Sequence, residues 1–228
     1  MQREIELKFN VPLYQDIGEL VDLVSSRVEH DIKAHGKHAD KIAEPFTRVR
    51  AYYYFDDDKL SVLHDNATIR EIYGIGTFDR PYRIQFKQGR IDDRFESEAD
   101  HFAKYVPPEE IIKCLKIPIS KYGPLSEVAR SDSMHLKWFL KHKGIEIKLD
   151  RFNVYGGDSF GELEFEWKGD EPGKAIKHLK QFVEPIASKL KLQEVNVQKY
   201  ARVMWAKEEY RSKIHLPAAE IDHLMSLK

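Results

Sequence analysis

Charged and apolar residues alternate strictly at two places in the chain, Glu4-Ile5-Glu6-Leu7-Lys8-Phe9 and Glu162-Leu163-Glu164-Phe165-Glu166-Trp167. Alternate residues of an extended strand share a face, so each segment gathers its charges on one side. The same period of two predicts strands near 2–10, 46–56, 67–73, 82–89, 92–99, 125–133, 145–155 and 160–168. Gly74-Ile75-Gly76, Gln88-Gly89-Arg90 and Gly156-Gly157-Asp158 supply turn chemistry between strands. No helix follows these glycines, so they read as hairpin turns and not as a phosphate cradle. Helical periodicity predicts 13–30, with Ile17, Leu20, Val21 and Val24 on one side, and a short helix over 108–115 opened by Pro108. It also predicts 172–190, where Pro185 should kink or interrupt the helix, and about 196–213. The stretch 30–45 is polar, and its His30, His35 and His38 fix no coordination geometry, so it reads as a solvated loop.

One such strand alone needs only an amphipathic sheet with its charges in water. Taken together, the strands sort their charges by sign. Glu4 and Glu6 share a face, as do Glu162, Glu164 and Glu166. Between them lie Arg70; Arg83 and Lys87; Arg94 with Glu96 and Glu98; Arg130; and Glu146, Lys148 and Asp150. If the sheet closes with these faces inward, they line a tunnel with a carboxylate patch on one wall and cations on others. Unpaired buried charges are costly, so such an interior implies a ligand. Carboxylate oxygens suit Mg2+ and Mn2+, while arginine and lysine suit phosphate oxygens. A polyphosphate chelated by a divalent metal satisfies both sets.

Composition narrows the classes. The chain has 228 residues, enough for a full core in one domain. Lys+Arg 37 against Asp+Glu 38 argues against a surface that coats nucleic acid. The single cysteine, Cys114, excludes an internal disulfide framework, fits a reducing compartment, and reads as a small buried hydrophobe. No apolar signal core and no apolar run of bilayer length are present, so a cytoplasmic protein without a membrane partner is expected. Ser131 and Ser133 sit near Arg130 but have no neighbouring base, and no nucleophile stands out.

At its alternating segments the chain resembles the CYTH superfamily, the triphosphate tunnel metalloenzymes. Glu4-Ile5-Glu6-Leu7-Lys8 resembles the family's Glu-x-Glu-x-Lys signature. The resemblance continues in order through Tyr54-Phe55-Asp56, Leu60, Ile69-Arg70, Phe86-Lys87, Arg94-Phe95-Glu96-Ser97-Glu98, Leu149-Asp150-Arg151, Gly161-Glu162-Leu163-Glu164-Phe165-Glu166 and Lys199-Tyr200. It implies a mainly β (α+β) fold, an eight-stranded antiparallel closed β-barrel tunnel with helices packed outside. The implied domain is 1–205, with 206–228 a C-terminal helical extension or tail. By this resemblance Glu4, Glu6, Asp150, Glu162, Glu164 and Glu166 would serve Mg2+ or Mn2+. Lys8, Arg70, Lys87, Arg94, Arg130 and Lys199 would bind phosphate oxygens, and Glu4, Glu6, Lys8 and Glu164 would form the catalytic centre. Glu96 and Glu98 would hold the basic residues in position or join the metal side.

Two positions depart from the family pattern. Ile72 stands where a second cation follows Arg70, and Asp132 stands where an arginine follows the basic residue at 130. Arg48, Arg50, Arg83 and Lys148 are candidate substitutes. The expected activity is metal-dependent hydrolysis of inorganic triphosphate or an organic triphosphate, by a monomer or homodimer with no nucleic-acid partner. The alternatives are a class IV type adenylyl cyclase and a non-catalytic polyphosphate- or nucleotide-binding protein.

Overall fold

The alternating segments pair edge to edge until the sheet closes on itself. A computed structural model describes residues 2–13, 16–34, 46–74, 82–90, 93–101, 108–115, 121–140, 143–168 and 172–226. Its strands are β1 (Gln2–Val11), β2 (Phe46–Asp56), β3 (Ala67–Gly74), β4 (Tyr82–Arg90), β5 (Asp93–His101), β6 (Ser126–Leu140), β7 (Ile145–Val154) and β8 (Phe160–Trp167). They form a closed antiparallel barrel in the order β1-β5-β4-β3-β2-β6-β7-β8, with β8 paired back to β1. Closure removes the exposed edges of an open sheet.

The helices are α1 (Ile17–Ala34), α2 (Ser61–His64), α3 (Pro108–Leu115), α4 (Pro172–Leu190), α5 (Lys199–Ala206), α6 (Glu208–Arg211) and α7 (Ala218–Ser226). Among the described residues, no helix is long and apolar enough to cross a membrane. α1 begins later than its periodicity suggests because Asp16 caps it, its Oδ1 accepting the Gly18 N–H at 2.7 Å. α4 continues through Pro185, contrary to the expected interruption. Pro185 and Gln181 are both exposed, so the carbonyl that loses its N–H partner lies where water can reach it. The expected helix over 196–213 is split, because Lys207 is extended and bridges Gly157. Only glycine fits there: a Cβ on Gly157 would lie 2.8 Å from the Ala206 carbonyl oxygen. His30 is exposed on α1; His35, His38 and the Cys114 side chain lie outside the described residues.

Two apolar clusters position the lumen. Outward Ile5, Leu7, Phe9, Ile147, Leu149, Leu163 and Phe165 pack under α1 and α4. β6 runs beyond the expected end at 133 because Trp138 and Leu140 join this cluster, with Trp138 Nε1 donating to Ser25 Oγ at 3.1 Å. The second cluster fills one end of the barrel with aromatic rings. Tyr54 stacks on Tyr200 at 5.3 Å between centroids, and Phe152 stacks on Phe160 at 5.0 Å. Asp56 fixes this end by accepting N–H groups of Val62 and Leu63 at the start of α2 and the Tyr200 hydroxyl at 2.8 Å. Burial pushes the Asp56 carboxyl upward, although those donors oppose the shift.

Candidate active site

Above the aromatic floor the lumen is a polar cavity of about 220 Å³, lined by nine Lys or Arg side chains and six carboxylates. The carboxylates are confined to one half of the wall, whereas cations line both. Arg83 and Lys87 from β4, Arg70 from β3, Arg50 from β2 and Lys137 from β6 make one continuous arc. Among the described residues, every lining carboxylate comes from the facing strands: Glu96 and Glu98 of β5, Glu146 and Asp150 of β7, and Glu164 and Glu166 of β8. Glu6 of β1 and Glu162 of β8 are fully buried beside them.

Lysines hold this acidic wall together. Lys8 Nζ lies 2.8 Å from Glu6, 3.4 Å from Glu164 and 3.7 Å from Glu162. Lys199, delivered by the first turn of α5, lies 3.1 Å from Glu162, 3.2 Å from Asp150 and 3.7 Å from Glu164. Lys148 spans the mouth side, at 2.7 Å from Glu164, 2.6 Å from Glu166 and 3.2 Å from Glu146. Burial opposes ionisation of Asp150, yet Lys199 and His135 hold its carboxyl well below the usual range. Burial likewise opposes ionisation of Glu164, which Lys148, Lys8 and Lys199 hold well below the usual range. Lys199 is the mirror case: burial disfavours its charge, but Glu162, Asp150 and Glu164 raise its affinity for the proton.

One oxygen from each of Asp150, Glu162 and Glu164 lies within 4.8 Å of the others. Three converging carboxylates are hard oxygen donors of the kind Mg2+ and Mn2+ prefer, so the residues present fit either ion. Asp150 is itself oriented by Ser133 Oγ, which donates to Oδ1 at 2.9 Å, and by His135 Nδ1 at 2.7 Å.

The cationic arc is also tied. Arg70 Nε donates to Gln85 Oε1 at 2.7 Å and its guanidinium lies 4.9 Å from the Tyr52 ring centroid. The Gln85 amide in turn donates to Glu96 and Glu98, and Lys87 lies 3.3 Å from Glu96. Arg83 lies 3.0 Å from Glu98. Burial lowers the Lys137 amine, with Glu146 partly restoring it.

Of the residues anticipated from sequence, Glu6, Lys8, Arg70, Lys87, Asp150, Glu162, Glu164, Glu166 and Lys199 come together in or against the lumen. Glu4 and Arg94 pair in register across β1 and β5, and their side chains lie outside the described residues. Arg130 requires a correction: it is on the outer face, paired with Glu127 and stacked 4.9 Å from the Tyr53 centroid. Strand parity is the reason, since β6 turns Ser131, Ser133, His135 and Lys137 inward. Asp132 is therefore outside as well, accepting a hydrogen bond from the Tyr155 hydroxyl at 2.6 Å, and it removes no charge from the lumen. Ile72 does line the cavity, opposite Arg83 in register, and Arg50, Arg83 and Lys148 line it too. The Arg48 side chain lies outside the described residues. His135, Lys137, Gln85 and Lys168 join the lining beyond the sequence expectation; the period of two continued along β6 to Leu140 points to the first two.

The chain matches no protein-family model and no curated protein sequence. Its fold is shared with solved structures. A candidate adenylate cyclase from Vibrio parahaemolyticus superposes with TM-score 0.56 at 12% identity, over 90% of this chain and 99% of that one. A candidate adenylyl cyclase from Hippeastrum, which has a dominant triphosphatase activity, gives TM-score 0.51 at 15% identity, over 95% and 98%. A chain of the Schizosaccharomyces pombe Mediator head module gives TM-score 0.52 at 10% identity, over 85% and 100%. The tunnel architecture anticipated from the CYTH resemblance is thus the architecture observed. At such identities the likeness is one of fold, and function has to be argued from the lumen.

Proposed function

We propose that the barrel binds the triphosphate end of a small molecule with Mg2+ or Mn2+ and hydrolyses its terminal phosphoanhydride. The observation that carries this reading is the opposition, across a lumen of about 220 Å³, of an arc β4-β3-β2-β6 whose described lining residues include cations and no carboxylate to an arc that carries all the described lining carboxylates. A phosphate chain presents anionic oxygens to Arg70, Lys87, Arg83 and Arg50, each contact being charge-assisted. Asp150, Glu162 and Glu164 would hold the metal. Bound there, it would neutralise phosphate oxygens and polarise the attacking water.

The reaction needs little covalent help from the protein. Water adds to the terminal phosphorus as the bridging P–O bond breaks, giving orthophosphate and the shortened phosphate chain. The chain's own residues align the phosphates and stabilise charge that spreads over their oxygens, the main contributions expected in phosphoryl transfer. Glu164 and Asp150 stay ionised because of their lysine neighbours, so they remain acceptors at neutral pH.

Cavity size favours a phosphate chain as the occupant of the lumen. Pockets that enclose a drug-sized ligand run to about 300–1,000 Å³, so this lumen suits a phosphate chain better than a whole nucleotide. Incubation with inorganic triphosphate or ATP and Mn2+, followed by product identification, tests the reading. Orthophosphate is expected; cyclic AMP with pyrophosphate would assign the cyclase, and intact substrate that remains bound would assign a binding protein.

A further inference from the structure

The acidic wall is anchored from outside the lumen by residues that the phosphate chemistry does not use. Arg202 of α5 is fully buried, with Nη1 2.9 Å from Glu162 Oε2. Its Nε lies 2.7 Å from Oε1 of Glu220, a buried residue on α7. Asn10 of β1 completes the cluster, accepting from Arg202 Nη2 at 2.6 Å and donating to Glu220 Oε2 at 3.2 Å. Arg202 also lies 4.3 Å from the Phe160 ring centroid. The segment 206–228, expected as an extension, thus contributes a charge to the barrel interior.

The order of charges matters. Glu162 has one oxygen turned toward Lys199 and Lys8 and the other held by Arg202. A buried guanidinium facing Glu162 alone would cancel much of the negative potential that a cation at Asp150, Glu162 and Glu164 needs. Glu220 neutralises that guanidinium from its far side. The triad Glu220-Arg202-Glu162 then has a net negative charge, which remains available at the lumen, and Glu162 keeps a fixed orientation.

We infer that Glu220 is a positioning residue for the proposed metal site: it turns Arg202 from a competing cation into a tie that orients Glu162 for a divalent ion. The inference rests on the proposed metal-binding reading and makes a separable claim about charge. A merely structural Glu220 would affect stability alone.

The test is Mn2+ binding by calorimetry and thermal stability, measured on the full chain with Mn2+ as the sole ligand. Glu220→Gln removes the charge and should weaken Mn2+ affinity by roughly fivefold or more, within the range for charges coupled in one network. Asn10→Ala removes the one uncharged member of the same cluster, leaves its charges in place, and should lower the melting temperature while changing affinity by less than about twofold. Adding Arg202→Met to Glu220→Gln removes the competing cation and should return affinity to about the wild-type level. This double variant leaves no unmatched guanidinium, so it also gives the answer if Glu220→Gln alone fails to fold. Wild-type protein that binds no Mn2+ would overturn the metal-site reading and this inference together. Wild-type binding with unchanged affinity in Glu220→Gln, or a double variant that binds more weakly than wild type by as much as the single one, would overturn this inference alone.

Discussion

Lys148 faces Glu164 in register across β7 and β8, its ammonium 2.7 Å from Oε1. Lys8 faces the same Glu164 in register from β1 on its other side, at 3.4 Å. Glu164 therefore sits between two strand neighbours that keep it ionised inside the barrel. The arrangement makes the acidic wall self-consistent without a ligand and leaves its oxygens grouped for one.

Glu164→Gln keeps the side-chain shape and removes the charge. Metal affinity and metal-dependent turnover should fall by at least about tenfold if Glu164 serves the proposed ion, since the buried negative charge beside it is lost. Folding should persist, with circular dichroism at wild-type amplitude. Equal Mn2+ affinity in the variant would remove Glu164 from the site.

The facing of the strands predicts a contrast among basic residues. Lys87→Ala and Arg70→Ala should each weaken inorganic triphosphate binding by about 1.5–3 kcal/mol, the usual cost of losing a hydrogen bond to a charged group. Arg130→Ala, on the outer face, should leave the affinity as it is. A loss on Arg130→Ala equal to that on Lys87→Ala would contradict the register of β6.

Much of this was legible from the chain because a half-buried strand writes its facing into a period of two. Glu6, Lys8, Glu162, Glu164 and Glu166 needed only that parity, and the eight strands followed from it. Arg130 departs from the resemblance because the parity of β6 points it outward, against Tyr53. A strand expected to end near 133 stops short of His135; only the continuation of β6 to Leu140, with Trp138 and Leu140 outward, sets His135 and Lys137 facing the lumen. Arg202 and Glu220 were illegible for a different reason: they meet Glu162 and Asn10 only through long-range packing, which periodicity within α5 or α7 does not encode.

Ile72 lies on the lumen wall opposite Arg83, where the family pattern has a cation. Ile72→Arg should tighten triphosphate binding and lower the stability of the ligand-free protein, because a further cation joins Arg70, Arg83 and Arg50. Added triphosphate should recover the melting temperature. Turnover need not rise with affinity, because only extra stabilisation of the transition state accelerates the reaction. A variant that binds no better while remaining folded would mean that phosphate does not reach this wall.

The depressed carboxyls set the direction of acid sensitivity. Asp150, Glu162 and Glu164 titrate lower in the folded barrel than in the unfolded chain, where carboxyls titrate at about 4. Below that value the unfolded state binds more protons, so the stabilisation is present above about pH 4 and is lost as the pH falls toward the folded values. Denaturant unfolding of metal-free protein between roughly pH 6 and 2.5 should show this decline, and Asp150→Asn should make it shallower. A stability that rises on acidification through pH 4 would contradict the assigned pairings.

The most direct measurement is a calorimetric titration of inorganic triphosphate into the protein with and without Mn2+, run in parallel on Lys87→Ala and Glu164→Gln. The tunnel account predicts one site per chain whose affinity rises with Mn2+, with Lys87→Ala weakening binding in both conditions and Glu164→Gln chiefly abolishing the Mn2+ enhancement. Triphosphate affinity that is indifferent to Mn2+ and unchanged in both variants would place the ligand outside this lumen.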